Sequence, residues 1–192
     1  GIALGRIVVT EFMSLDGVVE DPGGAEDFKY GGWSFEYNRG AEGDKFKLDE
    51  TMSSDGLLLG RKTYEGFAAA WPSRDGEFAD KFNTMPKYVV SSTLKDPEWQ
   101  NTTVLDGDLR QAVAKVRDAH DGDIVVHGSP SLAQALIEND LMDELRLMVF
   151  PVVLGTGLRL FGETSDKKPL TLKSSQAVGD GVAILVYGRA GD

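Results

Sequence analysis

Short hydrophobic runs recur along the chain and predict a series of strands. The first, residues 6–13 (RIVVTEFM), is rich in β-branched residues and stops at the turn-like sequence SLDG, so it predicts a buried strand. Five further strands are predicted: GLLLG (56–60), PKYVVSS (86–92), TTVL (102–105), GDIVVHG (122–128) and DELRLMVFPVVLG (143–155). Pro151 in the last of these indicates a bulge or an edge position. Two late segments, LTLKSSQAV (170–178) and VAILVYGR (182–189), are joined by GDG and predict a terminal antiparallel hairpin.

Segments with a helical spacing of apolar residues lie between these strands. We predict helices over residues 33–54, 62–71, 75–84, 108–119 and 129–140. Gly40 and Gly43 interrupt the first, and Pro72 ends the second. Residues 21–32, rich in glycine and acids, predict a surface loop. Because strands and helices alternate in the middle of the chain, the pattern predicts parallel βαβ units and one α/β domain over residues 1–192.

Composition and charge exclude several classes of function. The chain carries 31 acids against 20 bases, a net charge of −11, which argues against general nucleic-acid binding and against adhesion to anionic membranes. It has no cysteine and only two histidines, so disulfides, thiolate catalysis and cysteine-based zinc sites are excluded and no metal site is expected. No apolar run approaches the ~20 residues that cross a bilayer, and no secretory signal is visible, so a cytoplasmic protein is expected.

Against this acidic background, two cations stand at the predicted start of a helix. The apolar run 57–59 stops at Gly60, and Arg61 and Lys62 follow at once. A helix N-terminus carries roughly half a positive charge, so cations there are unfavourable unless something anionic binds. Arg61 offers forked donors that match a phosphate group, and Thr63 can cap the helix or donate to a phosphate.

A second strand end carries related chemistry. Ser91, Ser92 and Thr93 follow the strand residues 88–90, and Lys95 is nearby. A conventional NAD site has an acid near such a strand end, where it holds the ribose hydroxyls. Here the acid is absent and basic groups are close, so a bound dinucleotide would be the 2′-phosphorylated form.

A third strand end runs through His127, Gly128, Ser129, Pro130 and Ser131. Ser129 is a candidate N-cap and Pro130 a candidate first helical residue, so a helix N-terminus is predicted beside a glycine, which is a suitable seat for a pyrophosphate. Each of the three strand ends also has a purely structural explanation, either capping or strand termination. None contains a complete G-x-G-x-x-G or Walker motif. The prediction of a phosphate site therefore depends on their coincidence in one sheet.

The sequence resembles the dihydrofolate reductase-like superfamily, and within it the C-terminal reductase domain of bifunctional riboflavin-biosynthesis proteins and its stand-alone relatives. The likeness covers nearly the whole chain and is carried by VTEFMSLDGVVE (9–20), LLLGRKTYEGF (57–67), KYVVSSTL (87–94) and DIVVHGSPSLAQALIENDLMDELRLMVFPVVLGTGLRLF (123–161). The G-R-x-T-Y element and the H-G-S element with its following helix are fairly specific when they occur in this order.

The resemblance implies a mixed, mostly parallel sheet of about eight strands, flanked by helices, with NADPH bound across the strand ends. By motif match, Arg61, Lys62 and Thr63 would face the 2′-phosphate or pyrophosphate, Ser91 and Ser92 the adenosine ribose and its phosphate, and Gly128 to Ser131 the pyrophosphate. The implied activity is hydride transfer to a C=N or C=O bond of a pterin, a pyrimidine or a related small molecule. The alternative is a non-catalytic nucleotide- or ligand-binding protein on the same scaffold.

Two acids are candidate catalytic residues. Asp16, in the loop after strand one, is a candidate polar anchor or proton handler, although Asp-Gly pairs also favour turns. Glu36, on the helix that borders the substrate cleft in the superfamily, is the second, although a solvated glutamate on a helix face is commoner. Beyond Arg61, Lys62 and Arg39 the sequence offers no basic cluster for a ribose-phosphate substrate.

Segment VVLGTGLRLF (152–161) invites comparison with a phosphate loop but is interpreted mainly as a bend before the final hairpin. In the riboflavin-type relatives this neighbourhood contributes to a two-fold dimer. The apolar stretch LMVFPVVL (147–154) would suit such an interface, so a homodimer is expected.

Overall fold

An eight-stranded sheet runs through the centre of the protein, which the computed structural model describes over residues 4–192. The strands are β1 (Arg6–Ser14), β2 (Ser54–Gly60), β3 (Lys87–Val90), β4 (Thr102–Leu105), β5 (Asp123–His127), β6 (Glu144–Phe150), β7 (Leu170–Val178) and β8 (Val182–Arg189). Their order across the sheet is β4-β3-β2-β5-β1-β6-β8-β7. The first six are parallel, and β8 and β7 add the antiparallel hairpin. The predicted fold class is confirmed.

Five α-helices connect the strands. They are α1 (Gly40–Ser53), α2 (Arg61–Ala70), α3 (Glu77–Thr84), α4 (Leu109–Asp118) and α5 (Pro130–Glu138). Two short 3-10 turns, Trp33–Glu36 and Trp71–Ser73, precede α1 and follow α2. Within residues 4–192, no helix combines the length and the apolar character needed to cross a membrane.

The helix predicted over residues 33–54 is interrupted. After the 3-10 turn the backbone becomes extended at Tyr37, and α1 begins only at Gly40. The segment between them is held by the β7–β8 turn, since the Asp180 amide donates to the Asn38 carbonyl at 2.7 Å. Gly40 has a φ of +72°, and a Cβ there would lie 3.2 Å from the backbone of Gly179. A close approach to a distant turn therefore sets the start of α1.

The long strand predicted over residues 143–155 is shorter than expected. β6 ends at Phe150, because Pro151 has no N–H with which to continue the ladder. The Val152 amide donates back to the Phe150 carbonyl at 2.8 Å, which turns the chain away. Pro151 thus terminates the strand rather than forming a bulge within it.

The helices pack on opposite faces of the sheet, and this places a topological switch point between β5 and β1. On one face, called the α1 face, Thr10 of β1 contacts Lys47 of α1. On the other, the α5 face, Val9 packs in one cluster with residues of α4 and α5 such as Leu136. The chain leaving β1 enters the α1 face, whereas the chain leaving the neighbouring β5 enters the α5 face. Ligands of open α/β sheets bind at such a switch point, beyond the carboxyl ends of the strands.

A buried lysine caps the C-terminal end of α3. Lys87, at the start of β3, has no exposed surface. Its Nζ donates to the carbonyls of Phe82, Asn83 and Met85 at 2.8, 2.8 and 2.9 Å and lies 4.3 Å from the centroid of the Trp99 ring. Burial lowers the pKa of Lys87 to about 8, so the ammonium form still predominates at neutral pH. The side chain satisfies carbonyls that a helix C-terminus leaves open.

Replacing this lysine should destabilise the domain. Lys87→Met keeps the apolar stem but leaves the three carbonyls without their donor, so we expect a loss of about 2–4 kcal/mol in the free energy of unfolding, measured by urea denaturation. Lys115→Met, at an exposed position of α4, is the matched control and should change stability little. Equal stability of the two variants would refute the capping role of Lys87.

Candidate functional site

Direct hydrogen bonds join the ends of β2 and β5. The Gly60 amide donates to Ser129 Oγ at 3.0 Å, and the Ser129 amide donates to Thr63 Oγ1 at 3.1 Å. Gly60 precedes α2 and Ser129 precedes α5, so the two helix N-termini lie side by side at the carboxyl edge of the sheet. Two of the three strand ends identified in the sequence are therefore in direct contact.

Neither N-cap residue, Gly60 before α2 or Ser129 before α5, makes a side-chain hydrogen bond to an amide of its own helix. Ser129 occupies the N-cap position of α5, but its φ of 51° and ψ of 58° are left-handed and its hydroxyl does not reach its own helix. That hydroxyl donates instead to the His127 carbonyl and accepts from Gly60. The prediction that Ser129 caps α5 is thus wrong for its side chain. The first amides of both helices have no intrahelical carbonyl to pair with, and the two helix starts are direct neighbours.

Arg61 links this place to the remaining strand end, the one that follows β3. Its Nη1 donates to Thr93 Oγ1, and its Nε pairs with Glu65 at 2.8 Å. The Arg61–Glu65 pair puts the cation on the N-terminal side, the less favourable order along a helix, so it does not account for a cation at this position. Lys62 is exposed and lies 3.7 Å from Glu26.

The two serines after β3 differ in their surroundings. Ser91 Oγ accepts from the amides of Thr93 and Leu94 at 3.2 and 3.0 Å, which is turn chemistry. Ser92 is exposed, as is Lys95. Of the predicted ribose contacts, Ser92 is therefore the one whose hydroxyl is open to a ligand.

Asp16 ties two loops together. Its carboxylate accepts from Ser14 Oγ at 2.6 Å and from the amides of Leu154 and Gly155 at 3.1 and 2.8 Å, and Arg159 lies 3.4 Å away. The hydrogen bond from Ser14 leads the causes that lower the pKa of Asp16 to about 2, so the group is ionised at neutral pH. These contacts favour the anchor over the proton handler, and they hold the 152–161 segment as a bend.

Glu36 does not lie on α1. It ends the 3-10 turn that precedes that helix, and its side chain is exposed. The expectation that Glu36 sits on the helix bordering a cleft is therefore wrong in its structural premise. Its candidate role in catalysis stays a prediction.

A buried ionic network lies under α1 instead. Lys47 Nζ donates to Glu50 Oε1 at 2.5 Å and to Thr10 Oγ1 at 3.3 Å, and Glu50 also faces Arg146 at 3.4 Å. Burial alone would raise the pKa of Glu50, but the charge of Lys47, assisted by that of Arg146, outweighs it and lowers the pKa to about 2.

Among residues 4–192 no three His, Asp or Glu side chains are grouped so that they could hold a metal ion.

The ring of His127 faces the same side of the sheet. It lies 5.9 and 5.6 Å from the rings of Phe67 and Phe82, and its Nε2 is buried without a hydrogen-bond partner among the described residues. Burial, followed by the charge of Lys47, lowers the pKa of His127 to about 3. A neutral imidazole does not suit a phosphate, so the geometry favours Gly128 and Ser129 over this ring as the phosphate-binding part of the motif.

The family assignment follows from comparison with known proteins. Residues 6–184 match the model of the RibD C-terminal domain. The chain belongs to the RibD C-terminal domain family. It is 28% identical over 178 residues to the uncharacterized protein YwjB of Bacillus subtilis (strain 168), an alignment that covers 93% of this chain and 94% of that protein.

Solved structures agree with the fold of this RibD C-terminal domain. It is similar to the putative riboflavin biosynthesis protein from Shewanella sp. PV-4, with a TM-score of 0.77, 23% identity and coverage of 96% of this chain and 98% of that one. It also resembles dihydrofolate reductase from Enterococcus faecalis complexed with NADP(H) and RAB-propyl, with a TM-score of 0.58, 17% identity and 97% coverage of both chains. At these identities the likeness concerns the fold alone.

Sequence reasoning named Arg39 but missed Lys47 as a basic group beside β1. Both approach the ring of Phe12, Lys47 Nζ at 5.2 Å and Arg39 Cζ at 5.8 Å from its centroid, so they form a second basic pair besides Arg61 and Lys62. Lys47 and Glu50 stand three positions apart on a helix, which in a sequence is indistinguishable from a solvated surface pair. The signal that could have found them is Arg146, a cation within a strand of otherwise apolar character.

Asp16 should stabilise the RibD C-terminal domain in a pH-dependent way. Its folded-state pKa of about 2 lies below the usual 3.8, so the stabilisation is complete above about pH 4 and is lost as the pH falls through about 2. We expect Asp16→Asn to lower the free energy of unfolding by about 1–3 kcal/mol at pH 7, and by less at acid pH, in urea denaturation. Asp118→Asn, at an exposed position, is the control. A deficit in Asp16→Asn that stays constant down to pH 2 would contradict this role.

Proposed function

We propose that this RibD-family domain is an NADPH-dependent reductase that delivers a hydride to a small heterocyclic or carbonyl compound. The observation that carries the proposal is the convergence of two uncapped helix N-termini, at α2 and α5, on one edge of the sheet beside Arg61. Helix N-termini attract phosphates through free amides and the helix dipole. The family assignment and the dinucleotide in the similar dihydrofolate reductase, which is complexed with NADP(H), support the same reading.

The pyrophosphate would bind between α2 and α5. Gly60 and Gly128 have no side chain to cover the backbone here, and Gly128 has a φ of +54°, which favours glycine. The amides of Arg61 to Thr63 in α2 and of Ser131 in α5 are the donors that we assign to the phosphate oxygens.

The 2′-phosphate would bind at the β2 and β3 ends. Arg61 already reaches the β3 end through Thr93, and Ser92 and Lys95 are exposed beside it. Arg61 carries a planar set of donors suited to a phosphate. No acid stands between residues 91 and 95 to hold an unphosphorylated ribose. This composition favours NADPH over NADH.

The nicotinamide would then lie at the switch point between β5 and β1, since the strands follow the order β3-β2-β5-β1. The bound cofactor supplies the hydride, and the protein orients the substrate beside it. On the α1 face, Phe12 offers an aromatic surface to a planar substrate. Lys47 has three N–H donors, of which Thr10 and Glu50 occupy two, so one remains for a substrate oxygen or nitrogen.

A non-catalytic ligand-binding protein is the second candidate. Neither candidate catalytic acid is held ready for proton transfer, which favours this alternative. Asp16 is fully engaged in loop contacts, and Glu36 is exposed. The two functions differ in turnover. A reductase consumes NADPH, followed by absorbance, with at least one member of a panel of pterins, pyrimidines and small carbonyl compounds, whereas a binding protein consumes it with none.

Arg61 provides the direct test of cofactor choice. Replacing it with alanine removes the charged donor for the 2′-phosphate, so we expect NADPH to bind about tenfold to a hundredfold more weakly while NADH affinity changes little, in calorimetric titration. Lys115→Ala, which removes an exposed cation from α4, should leave both affinities unchanged. An equal loss for both cofactors would refute the 2′-phosphate assignment.

We infer further that the domain forms a homodimer through the region that follows β6. The predicted interface over residues 147–154 is wrong in its first half, since residues 147–150 are buried within the chain. Five large hydrophobic residues are exposed between positions 153 and 172, namely Val153, Leu158, Phe161, Leu170 and Leu172. The last two belong to β7, the strand at the edge of the sheet. Exposed apolar surface on an edge strand is a common basis for association.

The oligomeric state is measurable by light scattering during size-exclusion chromatography. We expect the wild-type chain to elute with twice the mass of one chain, and Leu172→Lys to shift it toward the monomer by placing a charge in the apolar surface. Ala114→Lys, an added charge at an exposed position of α4, should remain dimeric. A monomeric wild type, or a Leu172→Lys variant as dimeric as the control, would overturn the assignment.

A further inference from the structure

Glu11 is a buried acid that the proposed function has not used. It belongs to β1 and pairs with Leu147 of β6, and its residue is only 3% exposed. Its Oε2 is buried and has no hydrogen-bond partner among residues 4–192. Buried polar atoms are almost always partnered, so an orphaned carboxyl oxygen in the middle of a sheet requires an explanation.

The surroundings of Glu11 are those of a core position. Alternation along β1 puts its side chain on the α5 face with Ile7 and Val9, which pack against α4 and α5. Burial is the main cause of a pKa well above the usual value, and the charge of Lys47 offsets it only in part. Burial therefore favours the uncharged carboxylic acid, which has one O–H donor and one carbonyl acceptor.

A structural role does not account for an acid at this position. A leucine or methionine would fill the same volume without an unsatisfied polar atom, and buried polar groups replaced by apolar ones of similar size often leave stability unchanged or raised. The acid therefore points to a polar partner outside the chain.

The position of Glu11 indicates which partner that is. The last pair between β1 and β5 is Thr10 with His127, so Glu11 stands one residue beyond it, level with Gly128. This is the switch point of the sheet. Along the edge where the cofactor is proposed to bind, it lies at the other end from Arg61. If the proposed function holds, the nicotinamide lies there.

We propose that the carboxyl group of Glu11 pairs with the carboxamide of the nicotinamide ring. The acid O–H donates to the carboxamide oxygen, and the acid carbonyl accepts from the carboxamide N–H. The two groups have complementary donor and acceptor patterns, so a pair of parallel hydrogen bonds fixes the rotation of the ring and thereby the face that it presents to the substrate. This inference rests on the proposed function and adds a cofactor-binding residue to it.

The test uses two ligands that differ at the nicotinamide. NADPH carries the carboxamide, whereas 2′-phospho-ADP-ribose retains the adenosine, pyrophosphate and 2′-phosphate but lacks the ring. We expect Glu11→Met to weaken NADPH about tenfold in calorimetric titration, because two neutral hydrogen bonds are lost, and to leave 2′-phospho-ADP-ribose unchanged. Glu11→Gln, whose amide also presents one donor edge and one acceptor, should keep NADPH affinity within about threefold.

Unfolding measurements separate binding from folding. Glu11→Met should be at least as stable as the wild-type protein without ligand, since it removes an unsatisfied buried oxygen. Unchanged NADPH affinity in Glu11→Met, or an equal loss for both ligands, would overturn the role of Glu11 while leaving the proposed function intact. A folded Glu11→Gln variant that loses more than tenfold would overturn it as well. A wild-type protein that binds neither ligand would refute the proposed function itself, and this inference with it.

Discussion

The candidate site at the ends of β2 and β5 depends on the hydrogen bonds of one serine hydroxyl. Ser129 stands where a helix N-cap is expected, yet its hydroxyl bonds to Gly60 of the neighbouring strand end and to the His127 carbonyl instead of to its own helix. Thr63 accepts from the Ser129 amide, so the two helix starts are joined twice. The consequence is electrostatic, because the positive dipole ends of two helices become neighbours. In a chain of net charge −11 this is the place that we propose for an anionic ligand.

The topology of the sheet extends that site toward a second region. The chain leaves β5 on one face and β1 on the other, and the two strands are neighbours. Two buried polar atoms that have no partner within residues 4–192 flank this junction, one of Glu11 on the α5 face and one of His127 on the α1 face. Such atoms are costly in a folded protein unless something else satisfies them. Their place at the switch point, next to the proposed phosphate-binding edge, is consistent with the proposed dinucleotide.

Much of the fold could be predicted because its signals are local. Runs such as residues 6–13 and 182–189 are apolar and β-branched, and turn residues bound them, so strands and the final hairpin follow from the sequence alone. The errors occur where distant contacts decide. The start of α1 depends on the β7–β8 turn some 140 residues later, and the side chain of Ser129 turns toward a glycine 69 residues away. Lys47 and Glu50 stand three positions apart on α1, and only the contact with Arg146 of the distant β6 shows that they belong to a buried network.

The phosphate-binding edge is the claim on which the rest depends, and nuclear magnetic resonance tests it most directly. Titration with inorganic pyrophosphate, followed through backbone amide shifts, asks whether the two helix starts act as one site. The amides of Arg61 and Lys62 in α2 and of Ser131 and Leu132 in α5 should shift together along a single saturation curve. Shifts confined to one helix, separate curves for the two helices, or no shift in either would contradict the account.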